Sequence, residues 1–272
     1  MNLFNAFDKL LENKLVYNSY ETYRFYESHI NNIKMVCENI DLINIDENYI
    51  KTFILNQKLK KLSNATINKR LLCFKMVLSE NKLDCSYICK LKEIQKTFDF
   101  LSYSQVLRLL EYLHISNIKI ENKLVFRLLL DTGIRLNELL NIKLEDIELE
   151  SNCIYLRTTK TSRERIVFFT DDTKLLLQEH ILIEMLNDYD YIIDLKKSSI
   201  ESLFNRVNKH LKFRKFSPHM LRHTYATILV NENTNLEFIR CTLGHSNLTT
   251  TKRYLHQNQE NLYKIYKEKF KI

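Results

Sequence analysis

The sequence predicts a mainly α-helical protein of two domains, the second of which contains a small antiparallel β-hairpin. Three observations lead to this prediction. Apolar residues recur at helical spacing through the first ninety positions, the pattern then breaks into mostly polar residues, and β-branched and aromatic residues flank a polar centre over 153–169. The length of 272 residues suits one or two domains. We therefore expect a helical domain over 1–90, a linker over 91–100 and a second domain over 101–272.

In the first domain, two apolar stripes that follow N-capping residues predict two helices. One stripe lies behind Ser19 and the other behind Ser63 and Asn64. The stripes consist of Tyr23, Tyr26, Ile30 and Ile33, and of Ile67, Leu71, Phe74 and Leu78. Each spacing is typical of a helix that packs one face into a core.

Polar and basic residues lie off the second stripe, namely Asn68, Lys69, Arg70 and Lys75. A solvated basic face and a helix that faces DNA both fit this pattern. These four residues are candidate DNA contacts, and the alternative of a plain surface stays open.

The second domain is predicted to open with two helices. Ser102 and Ser104 offer N-caps for a helix that runs to Leu113, and a second, buried helix includes Leu124, Leu128 and Leu129. The second helix should end before Gly133, which can adopt the left-handed conformation of a helix stop.

The segment CIYLRTTKTSRERIVFF over 153–169 predicts the hairpin, with a turn over 159–164. Lys160 then lies at or beside the tip of the hairpin. Arg163 and Arg165 follow closely and are further candidate DNA contacts.

Charge and hydropathy narrow the class of protein. Lys and Arg together number 41 against 33 Asp and Glu, for a net charge of +8. This excess suits a polyanionic partner, although a merely basic surface would also account for it. No apolar run approaches the roughly 18 residues that a membrane-spanning helix needs, so we expect a cytosolic protein.

The two glycines and the single proline all fall in stretches dense in Arg, His, Lys and Tyr. These stretches are TGIRLNELL around Gly133, SPHMLRHTYAT around Pro218 and LGHSNLTTTKRY around Gly244. In a sequence almost free of Gly and Pro, such residues should mark positions with a required backbone conformation. The coincidence indicates functional segments.

Ser217 and Pro218 predict the start of a helix on which His219, Arg222 and His223 share one face. A helix N-terminus beside cationic side chains is suited to phosphate, and Arg222 can bind two phosphate oxygens at once. His219 and His223 also have the spacing of a zinc pair. The segment HMLRH lacks the glutamate of the HExxH motif, so no metal is expected.

Tyr254 is the candidate nucleophile. At neutral pH only about a thousandth of tyrosine side chains are ionised, so Tyr254 needs a base and fixed cations nearby. Attack on a phosphodiester would build charge on the phosphate, which Arg135, Arg222 and His245 could meet without a divalent metal. A phosphotyrosyl bond would conserve the energy of the broken linkage, so rejoining would need no ATP.

These motifs, in this order, resemble those of the tyrosine recombinase, or phage integrase, family. TGIRLNELL resembles the segment of the family's first catalytic arginine and its acidic companion, and HMLRH resembles its His-x-x-Arg box. LGHSNLTTTKRY matches the second histidine and, nine residues on, the tyrosine nucleophile. The matching residues are Arg135, Glu138, His219, Arg222, His245 and Tyr254, with Lys160 at the position of the hairpin lysine. Relatives commonly have glycines beside that lysine, whereas Lys160 lies between two threonines.

The resemblance implies a fold and a reaction. The N-terminal part would be a helical core-binding, SAM-like domain that completes a clamp around DNA, and the C-terminal part would be an α+β catalytic domain. Tyr254 would form a 3′-phosphotyrosyl bond, and religation would exchange strands through a Holliday junction. No cofactor is implied. The short N-terminal part favours a two-domain, Xer-like recombinase that resolves dimers or moves a mobile element.

The resemblance also implies roles and partners. The partners are a double-stranded DNA target site, three further copies in a synaptic tetramer, and an accessory recombinase or host protein at the nucleoid. A C-terminal helix over 259–272, with the stripe Leu262, Ile265, Tyr266 and Phe270, would dock on a neighbouring copy or fold back on its own. In the site, Arg135 and Arg222 would clamp phosphate with His245, His219 would act as base, Lys160 as acid, and Glu138 and His223 would support them. A type IB topoisomerase and a non-catalytic DNA-binding regulator are the alternatives.

Overall fold

The computed structural model describes residues 1–93, 99–157, 164–214 and 216–244. The chain divides into two compact units, Met1–Lys96 and Thr97–Ile272. The sequence predictions for Lys160, Arg163, His245, Tyr254 and the segment 259–272 lie outside the described residues.

The first unit is helical. Its helices are α1 (Leu3–Tyr17), α2 (Tyr20–Lys34), α3 (Glu47–Leu59) and α4 (Asn64–Glu80), with a short 3-10 helix at Leu42–Asn44. Ser19 caps α2 and Ser63 caps α4 through side-chain hydrogen bonds to the backbone, so both predicted helices are confirmed. Phe74 on α4 packs edge-on against the rings of Phe7 and Phe53, which places α4 at the centre of this unit's core.

The chain after α4 remains attached to the first unit. Asn68 donates to the carbonyl oxygen of Leu91 at 2.9 Å and accepts from the Leu91 amide at 2.8 Å, and Asn64 donates to the carbonyl oxygen of Lys92. A paired backbone group of this kind is costly to detach. The structure therefore continues the first unit past residue 90, where the sequence prediction began the linker.

The second unit surrounds a three-stranded antiparallel sheet of order β1–β2–β3 with helices. Among the described residues its elements are α5 (Tyr103–Ile115), α6 (Ile120–Thr132), α7 (Leu136–Leu139), β1 (Ile147–Glu148), β2 (Cys153–Leu156), β3 (Arg165–Phe168), α8 (Asp171–Glu184), α9 (Lys197–Leu211), α10 (Pro218–Asn231) and α11 (Leu236–Leu243). The pairing of β2 with β3 confirms the predicted hairpin. β1 was not predicted, because two residues are too short to show an alternating pattern.

Helix α6 lies in the middle of the second unit. Its residues from Leu124 to Leu130 are all buried, and it packs against α8 and α10. Phe126 forms an aromatic cluster with Phe204 and Phe216, in which each ring contacts the other two. A helix buried on all sides is fixed in position, and so is the residue at its C-terminal end.

In the part of the chain that the structure describes, no helix combines the length and the apolar character required to cross a membrane.

Candidate active site

The site begins at the end of α6. Gly133 caps this helix with a φ of 63°, the left-handed conformation predicted from the sequence. A Cβ atom at this position would lie 2.3 Å from Cδ1 of Tyr225 on α10, so the position has no room for a side chain. The close contact brings the chain against α10 just before Arg135.

Arg135 is the N-cap residue of the short helix α7 and is held by Glu138. The Arg135 amide donates to Oε2 of Glu138 at 2.7 Å, and Arg135 Nη1 donates to Oε1 at 3.0 Å. The Glu138 residue is only 5% exposed, whereas the Arg135 side chain is 31% exposed. The buried carboxylate therefore orients an arginine that remains open to solvent on one side.

A second arginine binds the same carboxylate. Arg165, the first residue of β3, donates from Nη1 to Oε1 of Glu138 at 3.1 Å and from Nη2 to Oε2 at 2.8 Å. Its Nε donates to the carbonyl oxygen of Thr242 at 2.7 Å, and the side chain is only 6% exposed. Two arginines thus share one buried carboxylate.

The two arginines change the pKa of Glu138. Burial alone would raise the pKa of this carboxyl group, but the hydrogen bonds from Arg165 and from the Arg135 amide, together with both guanidinium charges, lower it to about 2. Glu138 is therefore ionised at neutral pH and offers both oxygens as acceptors.

Helix α10 provides the third arginine. Ser217 accepts from the Met220 amide as N-cap and Pro218 occupies the first turn, as predicted. Arg222, one turn further, is 5% exposed. Its Nη1 donates to the carbonyl oxygen of Gly133 and its Nη2 to that of Leu243, both at 2.6 Å.

All three arginines meet the C-terminal end of α11. Consecutive carbonyl oxygens there accept hydrogen bonds, that of Thr242 from Arg165, that of Leu243 from Arg222 and that of Gly244 from Arg135 at 3.4 Å. A helix C-terminus has unpaired carbonyl groups and a partial negative charge, which cations stabilise. Gly244 ends α11 with a φ of 63°, and His245 follows it in the chain.

The two histidines of α10 differ in exposure. His219 in the first turn is exposed, and His223 one turn later is half-buried. Within the four described ranges, no three His, Cys, Asp or Glu side chains lie together as a metal site.

Three of the candidate DNA contacts are engaged inside the protein. Arg165 binds Glu138, Asn68 binds Leu91, and Arg70, 7% exposed, donates to Oε1 of Gln57. Arg70 and Arg165 are thus buried where the sequence led us to expect outward-facing side chains, whereas Asn68 is half-buried. The DNA contacts of all three stay predictions. Lys69 and Lys75 are exposed as expected, and both line a groove of about 440 Å³ on α4.

Arg165 is the site residue whose position the sequence reasoning missed. The signal is the alternation of β3, in which buried Val167 faces inward and Ile166 and Phe168 are exposed. Because side chains alternate along a strand, Arg165 lies on the same inward face as Val167. In the sequence, the positive charge of Arg165 alone suggested a DNA contact.

The comparison with protein families identifies the class of protein. The family model described as "Phage integrase family" matches residues 99–261, and that described as "Phage integrase SAM-like domain" matches residues 2–82. The chain belongs to the phage integrase family, the tyrosine recombinases. The predicted fold, a SAM-like helical domain followed by a catalytic domain, is confirmed.

Among known relatives, the chain is 42% identical over 146 residues to tyrosine recombinase XerA of Saccharolobus solfataricus, covering 54% of this chain and 49% of XerA. It is 33% identical over 157 residues to XerC of Staphylococcus epidermidis strain RP62A, covering 54% of this chain and 53% of XerC. The chain thus spans about half the length of the curated relatives it matches.

Two solved structures share the fold. The Tn1549 transposon integrase in complex with transposon right end DNA has a TM-score of 0.80 at 17% identity, with 100% of both chains covered. A lambda integrase dimer bound to a COC′ core site has a TM-score of 0.75 at 18% identity, with 93% of this chain and 95% of that chain covered.

Proposed function

We propose that this protein cleaves and rejoins double-stranded DNA as a site-specific tyrosine recombinase, through a 3′-phosphotyrosyl intermediate and a Holliday junction. One observation carries the proposal. Arg135 and Arg222, far apart in sequence, donate to the adjacent carbonyl groups of Gly244 and Leu243, directly before His245, which itself lies nine residues before Tyr254. The two arginines therefore lie where the segment with the nucleophile begins.

The chemistry of phosphoryl transfer explains why two arginines matter. In the transition state, negative charge spreads over the non-bridging oxygens, and the protein contributes mainly position and fixed positive charge. Each guanidinium group presents a planar fork of donors that matches these oxygens. Glu138 fixes the Arg135 fork in advance, so little reorganisation is needed when the phosphate arrives.

The other residues complete the reaction. Tyr254 attacks the scissile phosphate and leaves a free 5′-hydroxyl group on the other strand end. His219 accepts the tyrosine proton, His245 donates a hydrogen bond to a non-bridging oxygen, and Lys160 protonates the 5′-oxygen as it leaves. His223 supports this arrangement from the next turn of α10. The reaction as proposed uses neither a metal ion nor ATP.

The proposed partners are a double-stranded target site and further copies of this chain. Four copies would assemble on two DNA sites through the segment 259–272, with an accessory recombinase or host protein as an additional partner. Exposed Lys69 and Lys75 on α4 supply positive charge for the DNA backbone. The two-domain organisation and the likeness to XerA and XerC support an Xer-like enzyme, which resolves dimers or moves a mobile element.

The test recovers covalent adducts. The tagged protein is isolated from denatured native cells, and the attached DNA is sequenced beside a Tyr254→Phe control. We expect adducts at one locus that disappear in the control, because the substitution removes the attacking oxygen. The purified control should still bind that site, since its cationic side chains are intact. Equal recovery from both proteins contradicts the proposal and favours a binding-only regulator.

A second assay separates recombination from topoisomerase action. A plasmid with two copies of the recovered site should yield two circles, whereas a plasmid without the site should keep its supercoils. Relaxation of the plasmid without the site, with no exchange of segments, would indicate a type IB topoisomerase.

A further inference from the structure

Arg165 connects three parts of the second unit that are distant in sequence. It lies on β3 at the end of the hairpin, it forms a two-pronged ion pair with Glu138 of α7, and it binds the carbonyl oxygen of Thr242 on α11. Glu138 in turn holds Arg135. Arg165 thus links β3 both to the carboxylate that holds Arg135 and to the end of α11.

The contact with α11 is tight as well as polar. A Cβ atom on Gly244 would lie 2.9 Å from Nη1 and 3.0 Å from Cζ of Arg165. Glycine at 244 therefore lets the end of α11 lie directly on the guanidinium plane, in addition to permitting the positive φ. The position of residue 244 therefore depends on where Arg165 is held.

The ion pair with Glu138 argues against the simplest alternative role. Two of the three engaged donors of Arg165 bind a carboxylate, which balances its charge, whereas the equally buried Arg222 donates to uncharged carbonyl groups. Arg165 is therefore the less suited of the two to neutralise a DNA phosphate. Exposed cations serve that purpose at lower cost, because they need not be detached from a buried partner.

We propose that Arg165 is a positioning residue of the cleavage reaction, which fixes Arg135 through Glu138 and fixes the start of the nucleophile segment through Thr242. This inference rests on the proposed function, since it concerns the rate of that reaction. It assigns Arg165 no contact with substrate.

The test uses four variants in single-turnover cleavage of a duplex with the target site. Arg165→Met removes the guanidinium group, and Glu138→Gln removes the negative charge of the carboxylate that accepts its hydrogen bonds. The double variant removes both charges of the pair, so that neither buried ion is left without the other. Arg206→Met is the matched control, because it removes the same charge from an exposed position on α9. Thermal unfolding and the salt dependence of DNA binding are measured for each.

We expect the double variant to fold and to bind DNA with the wild-type salt slope, yet to cleave on the order of 100-fold more slowly, the scale of one lost preorganised donor. The double variant should be at least as slow as Arg165→Met, since Glu138→Gln also weakens the direct contact of Glu138 with Arg135. Arg206→Met should cleave at the wild-type rate.

Three results would overturn the inference. A folded double variant that cleaves at the wild-type rate makes the pair merely structural. If Arg165→Met reduces by about one the steepness with which the logarithm of DNA affinity falls with the logarithm of salt concentration, Arg165 is a phosphate contact. Absence of cleavage by the wild-type protein and by Arg206→Met overturns the proposed function together with this inference, whereas the first two results leave the proposed function intact.

Discussion

Arg222 of α10 donates a 2.6 Å hydrogen bond to the carbonyl oxygen of Gly133, 89 residues earlier in the chain. Its other terminal nitrogen binds the carbonyl oxygen of Leu243. One buried guanidinium group thus joins the turn that leads to Arg135 with the helix end that leads to His245. The contact makes the geometry of the site depend on the fork of a single side chain.

Arg222→Lys should therefore lower cleavage by roughly 100-fold or more, although the charge is kept. A lysine ammonium has no planar fork and cannot serve both carbonyl groups in the same geometry, so one buried acceptor loses its partner at a cost of about 1–3 kcal/mol. Single-turnover cleavage and urea unfolding measure the two effects. Arg206→Lys on exposed α9 is the matched control, and wild-type cleavage by Arg222→Lys would contradict the expectation.

Gly133→Ala should destabilise the second unit by roughly 2–4 kcal/mol. The left-handed backbone costs alanine about 1–2 kcal/mol, and the clash with the Tyr225 ring costs about as much again. In a Tyr225→Leu background the ring contact is absent, so the penalty should fall to the backbone part alone. Urea unfolding of the wild type, of each single variant and of the double variant gives this double-mutant cycle. An equal loss of stability from Gly133→Ala in both backgrounds would show that the Tyr225 ring is irrelevant.

Glu138 should make stability depend on pH in a defined window. Its pKa falls from 4.5 to about 2 on folding, so its contribution is fully present above about pH 4.5 and is lost as the pH falls toward 2. The contribution is roughly 3 kcal/mol. The stability difference between the wild type and Glu138→Gln should thus shrink across that window. Glu47→Gln, which alters an exposed pair with Lys51, should change stability by less than about 1 kcal/mol. If the stability difference between the wild type and Glu138→Gln does not change with pH, the ionised carboxylate of Glu138 is not its source.

Lys160→Ala should cleave normal DNA slowly and should be rescued by a substrate with sulfur at the 5′-bridging position. Sulfur leaves without a proton, so the acid becomes unnecessary. Tyr254→Phe is the control, because it should cleave neither substrate. If sulfur does not restore the rate of Lys160→Ala, the acid is a different residue.

Asn68→Ala should loosen the segment after α4 more than it weakens DNA binding. The substitution removes the partners of both backbone groups of Leu91 and a 2.8 Å hydrogen bond to Glu93. Hydrogen exchange at the Leu91 amide should accelerate, and the first unit should lose about 1–3 kcal/mol. Lys75→Ala, which alters an exposed side chain, should leave exchange at Leu91 unchanged. A normal exchange rate in Asn68→Ala with weakened DNA binding would contradict this expectation and support the predicted DNA contact of Asn68.

Local pattern predicted much of the fold. Ser19, Ser63, Ser102 and Ser217 each cap a helix in the structure, and Gly133 ends one, because caps and stops depend on the chemistry of a few adjacent residues. The hairpin of β2 and β3 was likewise readable from alternation. β1 was not, since its two residues owe their conformation to pairing with β2.

The sequence by itself determined the family of the chain and the order of its motifs, because family motifs and helix signals are local. Only the tertiary structure decided that Arg135, Arg165 and Arg222 meet at the end of α11, and that Arg165 binds the buried carboxylate of Glu138. These contacts join residues as many as 109 positions apart. Their proximity results from the packing of α6, α10 and β3 around a common core, which no short stretch of sequence specifies.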